Sequence, residues 1–366
     1  MKDSKQNLAI TQILAPSNFP PFRSTSRLPL FMDLKRLRQI LDRAASKRIL
    51  VIGDLMLDEF VWGKVGRISP EAPVPVVEVT GESFFPGGAA NVARNLREFV
   101  DRVSVIGLIG KDRSGQQLRE LLAERKIDIA DAVEDEKFRT IVKTRIIARH
   151  QQVVRVDREK ITRPTSAQIS KVVAAVKKKL ANVDAIIFED YGKGFLAGEL
   201  VAQVARDARA AKKIVTADPN PHNLIDWSGM TAVKPNRAEA FLAAGMQIRD
   251  SDVSPKKDVD LVRAGKTLLQ KWSAHYLLVT LGEHGMMFFE KGKHPHHIPT
   301  KARDVFDVSG AGDTAIAMFT LALACDGTPL EAAQIANHAS AVVVGKLGTA
   351  TVARDELISS FENDFD

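Results

Sequence analysis

A single cysteine, Cys325, stands among 366 residues. No disulfide can form within the chain, and so little cysteine points to a reducing compartment, the cytoplasm. Cys325 ends the apolar run AIAMFTLALAC and reads as a small buried hydrophobe. Long hydrophobic runs are also missing. None approaches the roughly 20 residues that cross a bilayer, so no membrane partner is expected. Aromatic residues make up only 6% and are nowhere interleaved with Lys and Arg. The excess of positive charge, +7, is scattered rather than blocked. Both features argue against a nucleic-acid track and suit small anionic substrates. The N-terminal LAITQILA is too short and too polar for a signal peptide. Residues 1–33, rich in Ser and Pro, read as a disordered extension, and 34–366 as the folded domain.

What is present is alternation. RILVIGD (48–54), VSVIGLIG (103–110), DAIIFED (184–190), KIVTADPN (213–220), TAVKPN (231–236) and YLLVTLGEHG (276–285) are apolar strand-like runs. Their continuous apolar character suits a sheet buried on both faces. Between them, stretches such as SGQQLRELLAERK and TSAQISKVVAAVKKKLANV have helical spacing. Strand–helix alternation predicts an α/β fold with three layers and a mostly parallel central sheet. Two segments, 60–83 and 137–159, alternate apolar with polar residues instead. They predict a small antiparallel sheet projecting from the domain as a lid or subunit interface.

Five stretches can carry chemistry. In DVSGAGDT (307–314), small residues precede an apolar helix. A helix start has free N–H groups and partial positive charge, and Gly310, Ala311 and Gly312 let an anion come close to them. Asp313 then stands where an attacking hydroxyl loses its proton. GAGDTA also fits the dinucleotide pattern G-x-G-x-x-A, the mark of an NAD-dependent oxidoreductase. Its context does not fit, since RDVFDVS is a poor strand and a carboxylate would repel a pyrophosphate. In FFPGGAANVARNL (84–96), Gly87 and Gly88 permit close approach and Asn91 offers a donor and an acceptor. In VIGDLMLDEF (51–60), Asp54 and Asp58 follow a strand end, where α/β sites lie. In KPNRAEA (234–240), Asn236 and Glu239 share a helix face and suit hydrated Mg²⁺, or equally a simple helix cap. VTLGEHG (279–285) ends a strand in a glycine-punctuated turn that suits a nucleotide or a hairpin. KHPHH (293–297) lacks zinc spacing and reads as a surface loop.

In this order, PGGAAN and D-x-x-GAGD resemble the PfkB/ribokinase family of sugar kinases. The resemblance runs from about residue 34 to 357, with Val308 where the family usually has Thr. Within it, GDLMLDEFVWGKVGRISPEAPVPVVEV is similar to the kinases of D-glycero-β-D-manno-heptose 7-phosphate. The resemblance implies a ribokinase-like domain that phosphorylates the anomeric hydroxyl of that sugar phosphate, on the way to ADP-heptose and lipopolysaccharide core. Another sugar phosphate, such as fructose 6-phosphate, is the alternative acceptor. The resemblance also implies a monofunctional chain without a fused nucleotidyltransferase. It makes Asp313 the catalytic base and Gly310, Ala311 and Gly312 the anion hole. Asn236, Arg237, Ala238, Glu239, Thr280 and Gly282 fall to ATP, with Glu239 reaching Mg²⁺ through water. Asp54, Asp58, Gly87, Gly88 and Asn91 fall to the sugar. Lys193, Arg149 and Arg155 are the cations expected at its phosphate. A monovalent cation is left open as a further cofactor, and the lid implies a homodimer.

Overall fold

The computed structural model describes residues 32–149, 151–248, 253–302 and 305–362. The proposed disordered extension lies outside them up to residue 31. Met32 and Asp33 belong to the domain: Met32 is buried, and Asp33 caps the first helix by accepting from the Arg36 N–H.

Helix α1 (Leu34–Leu41) leads to β1 (Arg48–Gly53), the hairpin β2 (Leu55–Ile68) and β3 (Pro75–Gly88), then α2 (Ala89–Arg97). Next come β4 (Arg102–Ile106), β5 (Leu108–Gly110), α3 (Arg113–Glu124), β6 (Val133–Asp135), β7 (Ile141–Ala148) and β8 (Gln151–Arg158). α4 (Ser166–Leu180), β9 (Ala185–Glu189), α5 (Gly198–Ala210), β10 (Ile214–Asp218), β11 (Ala232–Val233), α6 (Arg237–Ala243) and α7 (Val259–Lys271) follow. The chain continues through β12 (Tyr276–Thr280), β13 (Met286–Glu290) and β14 (His296–Ile298) to α8 (Ala311–Ala324), α9 (Pro329–Val344) and α10 (Arg354–Glu362).

The central sheet has the order β14-β13-β12-β11-β10-β9-β1-β4. It is parallel from β4 to β12, with β13 and β14 antiparallel at one edge. Strand pleating sorts each strand's side chains to two cores. Ile49 and Val51 of β1 join α1, α2, α8 and α9 on one face, while Leu50 and Ile52 join α4, α5 and α7 on the other. That is why the strands read as unbroken apolar runs, and it confirms the three-layer α/β expectation. The histidine stretch is only partly a loop: β14 takes up His296 and His297, and the latter's Nε2 lies 2.7 Å from the His284 carbonyl oxygen.

The lid is a four-stranded sheet, β3-β2-β7-β8, mixed rather than antiparallel as expected: the two hairpins are each antiparallel, but β2 and β7 join them in parallel. It extends further than 60–83, because β2 and β3 already pair from Leu55↔Gly88 upward. Leu55 to Asp58 are all buried at this foot, so no wet face reveals the strand in the sequence. The distinctive RISPEAPVPV segment forms the hairpin tip, where Ile68 is 61% exposed.

α8 is apolar on every side because it is enclosed, packing against α2, α9 and the sheet. The strand ends at Gly53, Glu189 and Asp218 and the start of α8 converge beneath the lid's foot. This is the crevice beyond the carboxyl ends of parallel strands.

Candidate active site

Gly310 caps α8 with φ 81° and ψ 0°, left-handed geometry that favours glycine. A Cβ there would stand 2.8 Å from Asn91 Nδ2. The position is therefore closed to a side chain by both backbone and neighbour. Asp313 follows in the first turn and is 4% exposed. Its Oδ2 accepts from Asn91 Nδ2 at 2.6 Å, and its Oδ1 accepts from the Tyr191 hydroxyl at 2.7 Å. Burial pushes its carboxyl up to about 6, against the pull of those two donors and of Lys234. A carboxylate in that range can exchange a proton near neutral pH, and it stands beside the N–H groups that the first helical turn leaves over.

Gly87 and Gly88 turn β3 into α2, and α2 brings Asn91 to Asp313. Gly88 has φ 60°, and a Cβ on it would stand 2.5 Å from the Asp54 carbonyl oxygen. A Cβ on Gly87 would collide with the Asp58 carboxylate. The two glycines thus let β3 pass under β2 and turn into α2 with Asn91 aimed at Asp313. Asn91 is fully buried and its Oδ1 has no protein partner, an acceptor left for a ligand. Asp58 pairs with Arg145 of β7, whose guanidinium stacks 5.2 Å over Phe60. Arg94, one turn beyond Asn91, donates to the Thr349 carbonyl and lies 5.5 Å over Phe85. Its Nε and Nη1 are buried and unpartnered. Burial lowers its pKa to about 10, so it stays charged.

Some of the residues expected at the nucleotide also come together. Asn236 bridges to Thr280, and Gly282 follows with open space where a Cβ would stand. Asn236 and Glu239 form the helix cap that the sequence left as the plain reading: Asn236 Oδ1 accepts from the Glu239 N–H at 2.9 Å and Glu239 Oε2 from the Asn236 N–H at 2.7 Å. Beside them, Lys234 Nζ lies 2.7 Å from Asp218 Oδ2, and a Cβ on Gly312 would stand 3.5 Å from that nitrogen. An ammonium therefore faces the mouth of α8. Glu189 is buried close by with Oε2 unpartnered. Burial and the neighbouring carboxylates raise Glu189 well above its usual range, and burial raises Asp218 to about 7. One lysine does not balance this negative charge, and a hydrated divalent cation would. Among the described residues no three acidic or His/Cys side chains are grouped to hold a metal by themselves. The excess of carboxylates fits a hydrated Mg²⁺ completed by phosphate oxygens, with Glu239 the side chain expected to reach it through water.

Several of the expected site residues are held by other partners or stand apart in this structure. Asp54 does not offer its carboxylate to a sugar: the oxygens accept the backbone N–H groups of Tyr191 at 3.0, Lys193 at 3.0 and Phe195 at 3.1 Å. Arg237 turns from the nucleotide side, pairing with Asp258 at 2.7 Å and stacking on Phe241, while Ala238 beside it is exposed. Arg149 sits exposed in the β7–β8 turn with φ 49°, outside the cluster around Asp313. Arg155 faces the same side of the lid as Arg145 but is engaged by Asp157 through two contacts of 2.8 and 3.0 Å. Lys193 does stand at the rim, bound to Glu159 at 2.7 Å. The sequence reading missed Tyr191, Arg145, Arg94 and Lys234. Of these, Lys234 was within sight, since it opens the KPN stretch at a strand end.

A helix start with free N–H groups, a buried carboxylate beside it and a lid sheet on a three-layer α/β domain suit phosphoryl transfer to a small acceptor. A model of the pfkB family of carbohydrate kinases matches residues 46–356, and the chain belongs to that family. Among the described residues between β14 and α8 there is no strand, and β14 itself is antiparallel to β13, so the dinucleotide-fold alternative finds no βαβ unit there. Among relatives, the bifunctional protein HldE of Pelobacter propionicus is 41% identical over 330 residues, covering 90% of this chain and 66% of that protein. HldE of Helicobacter hepaticus is 42% identical over 313 residues, covering 86% and 63%. The chain thus spans just under two-thirds of the length of these relatives. Among solved structures, phosphofructokinase-2 from Escherichia coli in complex with potassium superposes with a TM-score of 0.71 at 18% identity, covering 88% of this chain and 100% of that one. Ribokinase of Arabidopsis thaliana complexed with ribose and ATP gives 0.66 at 18% identity, covering 87% and 99%. At such identity the likeness is one of fold, and it agrees with the ribokinase-like α/β expectation.

Proposed function

We propose that the chain transfers the γ-phosphoryl group of ATP to the anomeric hydroxyl of D-glycero-β-D-manno-heptose 7-phosphate. The product would be heptose 1,7-bisphosphate, a precursor for ADP-heptose and lipopolysaccharide core. The observation that carries the chemistry is Asp313, buried at the start of α8 with each oxygen held by one donor. The acceptor hydroxyl gives its proton to Asp313 as its oxygen bonds to the γ-phosphorus. The bond from that phosphorus to the bridging oxygen breaks, and ADP leaves. The N–H groups of Gly312 and Asp313, with Lys234, face the charge on the transferring group. Mg²⁺ near Glu239 would neutralise the nucleotide phosphates. Asn91 Oδ1 and Asp58 are placed to orient sugar hydroxyls.

The choice of sugar rests on the RISPEAPVPV segment, which resembles the heptose 7-phosphate kinases, and on the 41% identity to the bifunctional protein HldE. The lid adds charge. Lys143, Arg145, Arg155 and Lys193 outnumber Asp58, Asp157 and Glu159, with which they pair. That set suits an acceptor bearing its own phosphate. A homodimer through the lid belongs to the same reading. Val154 and Val156, 46% and 41% exposed, stand on the face opposite Arg145 and Arg155 and give it an apolar outer side.

The test is ADP release from Mg·ATP with the heptose 7-phosphate, with fructose 6-phosphate and adenosine beside it. Turnover with the heptose alone is expected. Turnover only with another acceptor would overturn the substrate. An active Asp313→Asn enzyme would overturn the mechanism.

A further inference from the structure

Asp313 is held from two directions. Asn91 comes from a helix, which fixes it. Tyr191 comes from the loop after β9, which has no regular structure of its own to fix it. Gly192 and Gly194, at φ 68° and 100°, wind that loop tightly. Its backbone is held instead by Asp54, whose carboxylate gathers three of its N–H groups, and by the Thr162 N–H, which donates to the Lys193 carbonyl at 3.0 Å. Asp54 is 2% exposed and its oxygens are spent on this loop.

We propose that Tyr191 is a positioning residue for the base Asp313, and that Asp54 acts through it by fixing the loop that carries it. This rests on the reading of Asp313 as the base. The two donors, one on each oxygen, set the carboxylate plane and leave each oxygen a further lone pair for the acceptor hydroxyl. The phenol is a dependable donor. Burial and the adjacent carboxylates Asp313 and Glu189 raise its pKa well above 10, so it keeps its proton at working pH. Without it, Oδ1 would stand in a buried site with no protein donor, and the carboxylate would hold its proton more tightly.

Other charges face Asp313 as well. Lys234 favours its anion and Asp58 opposes it, while Glu189, Asp218 and Arg94 act from β9, β10 and α2. The test must therefore isolate Tyr191. The chain has only two tyrosines, Tyr191 and Tyr276. Carbon-13 at the phenolic carbon gives two NMR signals, and Tyr276→Phe assigns them. In the substrate-free protein, the Tyr191 signal is expected to shift with a midpoint near 6, and the step is expected to vanish in Asp313→Asn. A flat Tyr191 signal between pH 4.5 and 8 would overturn the proposal without any need for a substrate.

Kinetics supply the second arm. Tyr191→Phe, which removes one oxygen, should move the acid limb of kcat upward by about one pH unit, which lowers kcat by about twofold at pH 7 and about tenfold at pH 5. KM for Mg·ATP should stay within about twofold. Asp54→Asn should give the same shift, and the double variant little more, because the two act in series. An inactive Asp313→Asn beside an unshifted Tyr191→Phe profile would sink this inference and leave the base in place. A Tyr191→Phe shift that Asp54→Asn fails to reproduce would remove Asp54 alone.

Discussion

Replacing Gly310 by alanine asks the start of α8 two questions at once. The backbone there has φ 81°, which costs an L-residue about 1–2 kcal/mol. The new methyl would also stand 2.8 Å from Asn91 Nδ2, closer than such a pair tolerates. Asn91 is fully buried, so it cannot swing into solvent and must be pushed along its bond to Asp313. The first effect is shared by any glycine with similar φ. Gly292, at φ 78° with nothing within 4 Å of a Cβ, supplies it alone. Gly292→Ala should therefore lower the melting temperature by about 2–4 °C per kcal/mol of strain and leave turnover intact. Gly310→Ala should melt at a similar or somewhat lower temperature. Its kcat should fall by about 10²-fold, the usual penalty for displacing a reacting group by a fraction of an ångström to an ångström. The assay is coupled ADP release with thermal melts on the same samples. Full turnover in Gly310→Ala, with the melting loss of Gly292→Ala, would refute the claim that the close approach of Gly310 to Asn91 sets the base.

Further outcomes are expected. kcat should rise with pH through an acid limb near 6, the value to which burial lifts Asp313, and a limb near 4 would place an unperturbed carboxylate in the role. Arg145→Met should raise KM for the sugar at least tenfold and cost about 3 kcal/mol of stability, because it strands Asp58 buried and unpaired; denaturant titration and saturation kinetics check both. Val154→Lys with Val156→Lys should turn a dimer into a monomer in sedimentation velocity without altering the melting temperature by more than a few degrees. The ligand-free protein should melt lower at pH 8 than at pH 5.5. Asp190 and Asp218 are lifted to about 7, so the folded state binds protons that the unfolded state has released, and stability falls as pH rises through that window. The carboxylates that their partners hold low, such as Asp128 and Glu331, are fully ionised throughout it and do not contribute. A melting temperature that climbs from pH 5.5 to 8 would contradict this.

The parts of the site legible in the sequence are those whose chemistry belongs to the backbone. Gly310, Gly88 and the Asn236–Glu239 cap announce themselves within four residues, because left-handed turns and helix starts demand particular residue types locally. The sheet was legible for a similar reason: burial on both faces writes an unbroken apolar run into β1, β9 and β12. Where both faces of a lid strand are also buried, as at Leu55 to Asp58, the period-two signal disappears, and so the lid's foot was missed.

Side-chain partnerships behave differently. Tyr191 reaches Asp313 across 122 residues, and Arg145 reaches Asp58 across 87. Nothing beside Tyr191 in EDYGKG separates a phenol aimed at a carboxylate from one lying on the surface. Charge alone misleads in the same way. Sign and location point to Lys193 and Arg155 as phosphate ligands, yet Glu159 and Asp157 already occupy them, so a phosphate would have to compete for those cations. Asp54 is the sharpest case. Its place after β1 made it look like a sugar ligand, and only the fold brings to it the backbone of a loop more than 130 residues away. A carboxylate at a strand end is available to a ligand only if the neighbouring chain has satisfied its own donors elsewhere. Here the loop after β9 had not, and Asp54 serves the loop.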